Sequence, residues 1–115
     1  MLKDNIFKKI IDGQIKADIL YQDESCLAFR DINPQAPTHV LIIPKEHYPD
    51  VSTLAAADGG LLGEVITGVH YVAETEGVSE DGYRVVFNTG AHAGQTVPHV
   101  HGHLLGGRSL TWPPG

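Results

Sequence analysis

Gln95-Thr96-Val97-Pro98-His99-Val100-His101-Gly102-His103-Leu104-Leu105-Gly106-Gly107-Arg108 carries three histidines at a spacing of two, separated by Val100 and Gly102. On a β-strand successive side chains point to opposite faces, so His99, His101 and His103 are expected on one face, each about 7 Å from the next. Val100, Gly102 and Leu104 then face a packed interior. Such a row suits a metal site or a chemical site, unless the three histidines merely decorate a surface strand. Tetrahedral zinc holds each imidazole nitrogen at about 2 Å. The outer pair lies about 13 Å apart along an extended strand, so a three-ligand site from this strand alone is strained and no metal is expected. Direct chemistry carries more weight. Imidazole titrates near neutrality, so one ring can act as a nucleophile while a neighbour is a cation or proton donor. Gly94, Gln95 and Thr96 add a turn, an amide and a hydroxyl suited to a phosphate and its leaving group.

Composition narrows the classes. At 115 residues the chain is expected to form one domain spanning 1–115, with a modest core. The net charge is -6 and the 8 Lys and Arg residues form no run, which disfavours nucleic-acid backbone binding. The one cysteine, Cys26, excludes an internal disulfide and fits a reducing compartment. The N-terminus lacks a signal-like apolar run and no segment reaches membrane-spanning length, so a cytoplasmic protein without membrane partners is expected.

Outward from the histidines, the chain alternates short elements. Asp4 is placed to cap a short helix striped by Ile6, Phe7, Ile10 and Ile11, ending before Gly13. Ile19 to Tyr21 and Cys26 to Phe29 read as strands of a hairpin around Gln22-Asp23-Glu24-Ser25. Asp31-Ile32-Asn33-Pro34-Gln35-Ala36-Pro37 is a stiff proline loop. Thr38 to Ile43 is a β-prone run ended by Pro44. It carries His39, which by itself is more often a satisfied core histidine than a catalyst. Asp50 to Asp58 holds turn and cap residues. Leu61, Leu62, Val65, Ile66, Val69, Val72 and Ala73 then follow helical spacing, with Gly77 as C-terminal cap. Tyr83 to Asn88 is another strand, while His47, His70 and His92 carry no spacing signal. Short turns favour antiparallel pairing. The expected fold is α+β: an antiparallel five-stranded meander sheet with one long and one short helix packed against it.

With these residues laid out, the chain resembles the histidine triad (HIT) family, in its branch of histidine triad nucleotide-binding proteins. The resemblance runs from Asn5 to Gly115. It rests on Asp31-Ile32-Asn33-Pro34-Gln35-Ala36-Pro37-Thr38-His39, Ile43-Pro44-Lys45, Asn88, Gly94-Gln95-Thr96, the three histidines, Gly106-Gly107-Arg108 and Trp112-Pro113-Pro114-Gly115. It implies a homodimer whose two five-stranded sheets join into one. It further implies hydrolysis of purine nucleoside 5′-phosphoramidates, such as adenosine 5′-monophosphoramidate, to nucleoside monophosphate and amine through a nucleotidyl-histidine, with no cofactor.

Carried over by position, His101 is the nucleophile, with His103, His99 and His39 supporting it. Asn88, Gly94, Gln95 and Thr96 fall at the phosphate and leaving group, and Asp31 at the ribose hydroxyls. Ile6, Phe7, Ile10, Phe29, Ile32 and Leu41 fall in the base and ribose pocket. The tail with Trp112 reaches the partner's active-site rim, although on its residues alone it folds back on its own protomer nearly as well. The chain departs from the family at Thr96, where serine is common, and at Gly102, where a hydrophobic residue is usual. The competing readings are a non-catalytic nucleotide-binding or interaction module and a dinucleoside polyphosphate hydrolase of the same superfamily.

Overall fold

The structure is a computed structural model describing residues 5–115. Asp4, the expected cap of the first helix, lies outside the described residues. Helix α1 (Ile6–Ile11) starts at Asn5, whose side chain accepts from the Lys8 amide. Three strands follow: β1 (Ile19–Gln22), β2 (Cys26–Arg30) and β3 (Thr38–Pro44). Helices α2 (Val51–Ala57) and α3 (Gly59–Thr75) come next, then β4 (Tyr83–Val86) and β5 (Gly102–Gly106). All neighbouring strands pair antiparallel, giving the expected five-stranded α+β sheet.

The strand order is β1-β2-β3-β5-β4, so the sheet is not a sequential meander throughout. The chain passes through α2 and α3 before β4 forms the edge, and β5 inserts between β3 and β4. The insertion buries β5 between two partners and completes the covering of β3, each of whose residues is buried.

Asp50 to Asp58 is helical rather than a turn. Asp50 accepts from the Thr53 amide and Asp58 from the Leu61 amide, so these residues cap two successive helices. Both capping residues favour turns by sequence, which hid the alanine-rich turn between them. At the far end of α3, Val78 N–H donates to Ala73 O and Gly77 N–H to Glu74 O. This paired C-terminal cap depends on Gly77 at φ 74°.

The two faces of the sheet bury different partners. Cys26, Ala28, Val40, Ile42 and Leu104 pack with Val65, Val69 and Val72 of α3. Leu27, Phe29, Leu41 and Ile43 face Phe7 and Ile10 of α1. A smaller cluster of Leu54, Leu61 and Val100 ties the α2–α3 corner to the histidine segment. Cys26 is a free, buried thiol that burial pushes up to about 12, so it is chemically quiet.

Candidate active site

Strand β5 begins at Gly102, so only His103 of the three histidines lies on a regular strand. His99 and His101 precede it on chain held from behind. Val100 N–H donates to Tyr48 O at 2.7 Å, and the Val100 side chain is buried in the α2–α3 corner. With Val100 turned to the α2–α3 corner, His99 and His101 turn together to the opposite side, under α1. The Phe7 ring meets His101 edge-on at 4.9 Å and His99 at 6.3 Å between centroids. The expected shared face therefore holds, although the backbone before Gly102 is not a ladder.

Backbone partners assign the protons on each ring. His101 Nδ1 lies 2.8 Å from His99 O, a carbonyl that can only accept, so Nδ1 carries the proton and Nε2 the lone pair. His99 Nε2 lies 2.9 Å from Pro44 O and carries its proton there. His99 Nδ1 is thereby an acceptor, and His47 Nδ1 donates to it at 3.2 Å. Gln35 N–H donates to His39 Nδ1 at 3.0 Å, leaving the His39 proton on Nε2. That proton faces His103 Nδ1 at 2.9 Å, with Asp31 Oδ2 at 3.4 Å. His103 must then carry its proton on Nε2, the one buried side-chain polar atom without a partner among the described residues. A lone pair on His101 and an unspent N–H donor on His103 stand side by side, their rings 5.0 Å apart.

Desolvation sets the charges. Burial lowers His101, opposed by the His99 carbonyl and Asp31. Burial likewise lowers His99 and His39, the latter opposed by Asp31. It pushes His103 down to about 4, helped by the neighbouring His101 and His39 rings. All four imidazoles are therefore neutral at pH 7. The sequence left the neighbour of the nucleophile as a cation or a proton donor; burial disfavours the cation, and His103 stands there as a neutral N–H donor.

A pocket of about 330 Å³ opens in front of these rings. Its lining brings together ten residues expected at the site: Ile6, Phe7, Ile10, Phe29, Asp31, Ile32, Leu41, Thr96, His101 and His103. The floor follows from register, since Leu41 pairs with both Phe29 and His103, placing the three side chains in one row. Asp31 Oδ1 accepts from Asn33 N–H at 2.8 Å, so this carboxylate braces the proline loop as well as facing the pocket. Ile32 stands at the rim, 96% exposed.

Other expected residues lie elsewhere. His39 and His99 stand behind the wall, His39 Nε2 meeting His103 Nδ1 and the His99 carbonyl meeting His101 Nδ1. The Gln95 amide is spent on backbone, donating to Pro49 O and Val97 O and accepting from Gly90 N–H. Its sequence neighbours suggested a phosphate ligand; its geometry makes it a loop brace. Gly94 forms a turn at φ 82° outside the lining. Asn88 and Trp112 line a separate open cleft with His92 and Leu105. Sequence reasoning missed Ile15, Lys16, Ala17, Arg30 and Val97 in the pocket, and His47 behind His99. Ala17 and Val97, apolar residues flanking elements, were the readable ones; nothing local marked His47 or Lys16.

Among the described residues, Asp31, His39 and His103 form a group whose ligand atoms lie within 4.8 Å. Their hydrogen bonding opposes coordination. Gln35 N–H holds His39 Nδ1 as an acceptor, so Nε2 would ligate only as imidazolate or after the loop moved.

The HIT domain family profile matches residues 12–110. The chain belongs to the HIT domain family. It is 53% identical over 110 residues to the purine nucleoside phosphoramidase of Escherichia coli K12, covering 96% of this chain and 92% of that protein. A HIT family hydrolase from Legionella pneumophila superimposes with a TM-score of 0.93 at 49% identity, covering 97% of this chain and 100% of that one. The histidine triad nucleotide-binding protein of Candida albicans matches with a TM-score of 0.80 at 32% identity, over 96% of this chain and 83% of that one. This HIT fold thus recurs with hydrolase and nucleotide-binding names attached to its relatives.

Proposed function

We propose that this HIT protein is a purine nucleoside phosphoramidase, cleaving the P–N bond of nucleoside 5′-phosphoramidates through a covalent nucleotidyl intermediate on His101. One observation carries the reading: His101 Nδ1–H is held by His99 O, so Nε2 offers its lone pair to the pocket. The likeness to the E. coli enzyme supports the substrate class.

The chemistry divides into two displacements. His101 Nε2 attacks the α-phosphorus, a new P–N bond forms, and the bond to the amine nitrogen breaks as that nitrogen takes up a proton from solvent at the open mouth of the pocket. The ring gains positive charge as it bonds, and the His99 carbonyl stabilises it through Nδ1–H. His103 Nε2–H donates to the phosphoryl oxygen on which negative charge gathers, at no reorganisation cost because the donor has no earlier partner. Thr96 also lines the pocket, and its hydroxyl is assigned to the departing amine. Water then attacks phosphorus and gives up a proton to solvent, the His101–phosphorus bond breaks with its electron pair returning to Nε2, and the monophosphate leaves. Asp31 takes the ribose hydroxyls with its remaining lone pairs, and the apolar row of Leu41 and Phe29 under α1 takes the base.

The assembly that fits this reading is a homodimer. Trp112 is 79% exposed, with the Arg84 guanidinium 5.8 Å from its ring centroid, and β4 is an edge strand. Both are surfaces that a second copy would cover.

Rapid mixing with a nucleoside phosphoramidate followed by intact mass measurement tests the reading. A transient nucleotidyl adduct is expected on His101, and His101→Asn should lose several orders of magnitude of turnover while still binding monophosphate. Turnover by His101→Asn within about tenfold of wild type would sink the assignment.

A further inference from the structure

The pocket has two ends, and register sets their separation. His103 pairs with Leu41, Leu41 with Phe29, and Phe29 with Ile19 of β1. Strands lie about 4.8 Å apart, so the β1 side of the pocket is about 14 Å from His103. That span matches a nucleoside monophosphate laid across the strands, phosphate at His101 and His103 and base over Leu41 and Phe29. Arg30 N–H donates to Asp18 O, which brings the segment just before β1 alongside the end of β2. Ile15, Lys16 and Ala17 line the pocket there, where the outer edge of the base would lie.

Three of the lining residues carry a formal charge at neutral pH: Lys16, Arg30 and Asp31. Arg30 is spent, donating to both carboxylate oxygens of Glu76 at 2.7 and 3.0 Å and pairing with Asp18 at 3.2 Å. Asp31 braces its loop and faces His39. Lys16 alone of the three has no hydrogen bond or ion pair among the described residues. An ammonium offers three donors and no acceptor. A 6-oxopurine presents adjacent acceptors at O6 and N7 to such a group, whereas adenine presents N7 beside an amino donor.

We infer that Lys16 reads the outer edge of the base and gives this site a preference for 6-oxopurine nucleotides over adenine nucleotides. The inference rests on the nucleotide reading of the pocket given above. Lys16 is too far along the sheet to serve the phosphate, and it is exposed, so its replacement leaves the core intact.

Calorimetric titration of wild type and Lys16→Met with GMP, inosine monophosphate and AMP tests it. Wild type should bind GMP and inosine monophosphate about five- to tenfold more tightly than AMP, the low end of base-edge discrimination because the contact faces solvent. Lys16→Met should erase that advantage and change AMP affinity by less than about twofold. Wild type without the preference, equal losses for all three ligands, or a loss confined to GMP would overturn the assignment to O6. Binding of none of them by wild type, together with absence of the His101 adduct, would instead bring down the proposed function itself.

Discussion

His101 owes its reactivity to a carbonyl two residues back. Because His99 O holds the Nδ1 proton, the other nitrogen is a free base, and burial lowers its affinity for a proton. Asp31 works against that burial, raising His39, His101 and His103 through its charge. The acid limb of kcat/KM, which reports the free enzyme, is therefore expected below pH 6.5. Asp31→Asn removes the negative charge and should move the limb to still lower pH. A pH–rate profile of both proteins checks the sign, and a limb that rises or stays put would show that Asp31 does not act electrostatically.

At the level of elements, β5 passes close under Phe87, and Gly102 is what lets it pass. A Cβ built on Gly102 would sit 2.8 Å from Phe87 Cζ, so the missing side chain leaves no void; the ring fills it. Gly102→Ala should cost about 1–2 kcal/mol of stability, with Phe87→Leu in the same chain restoring part of it. Denaturant titrations of the two single variants and the double variant measure the coupling; simple additivity would show that the contact is not the cause. Helix α3 offers the opposite case. Gly63 is exposed in mid-helix with nothing within 4 Å of its would-be Cβ. Gly63→Ala should add about 0.5–1 kcal/mol to unfolding free energy, since only backbone entropy changes.

For the molecule as a whole, three buried imidazoles and the half-buried His103 make folding acid-sensitive. Their native values are lowered, so between the ordinary histidine value of 6.5 and about 4, where His103 titrates, the unfolded chain binds more protons than the folded one. Stability is thus fully present above pH 6.5 and falls as pH drops through that window. Denaturation midpoints across the range should show this slope, and His103→Asn should flatten it; an unchanged slope would place the acid sensitivity elsewhere. The proposed dimer is tested at the same scale. Sedimentation should give about twice 12.4 kDa, and removing residues 110–115 should alter selectivity among amine leaving groups more than monophosphate affinity. A monomer at micromolar concentration would defeat it.

The histidine spacing, the helical run from Leu61 and the β-prone run around His39 were enough to name an α+β sheet, its five strands and the rings that share one face. Periodicity is local, and these features are local. The position of β5 between β3 and β4 was not legible, because pairing order is chosen by burying both faces of β3 rather than by any turn. Nor were the proton positions: they follow from Gln35 N–H, Pro44 O and His99 O, backbone groups that carry no residue identity. The same holds for Gln95, whose amide is placed at the phosphate by sequence and donates instead to carbonyls brought near by folding. Sequence alone determined which chemistry-bearing residues the chain owns; the tertiary fold decided which of their atoms remain free to act, because a hydrogen-bonding group is available only when no nearer partner has claimed it.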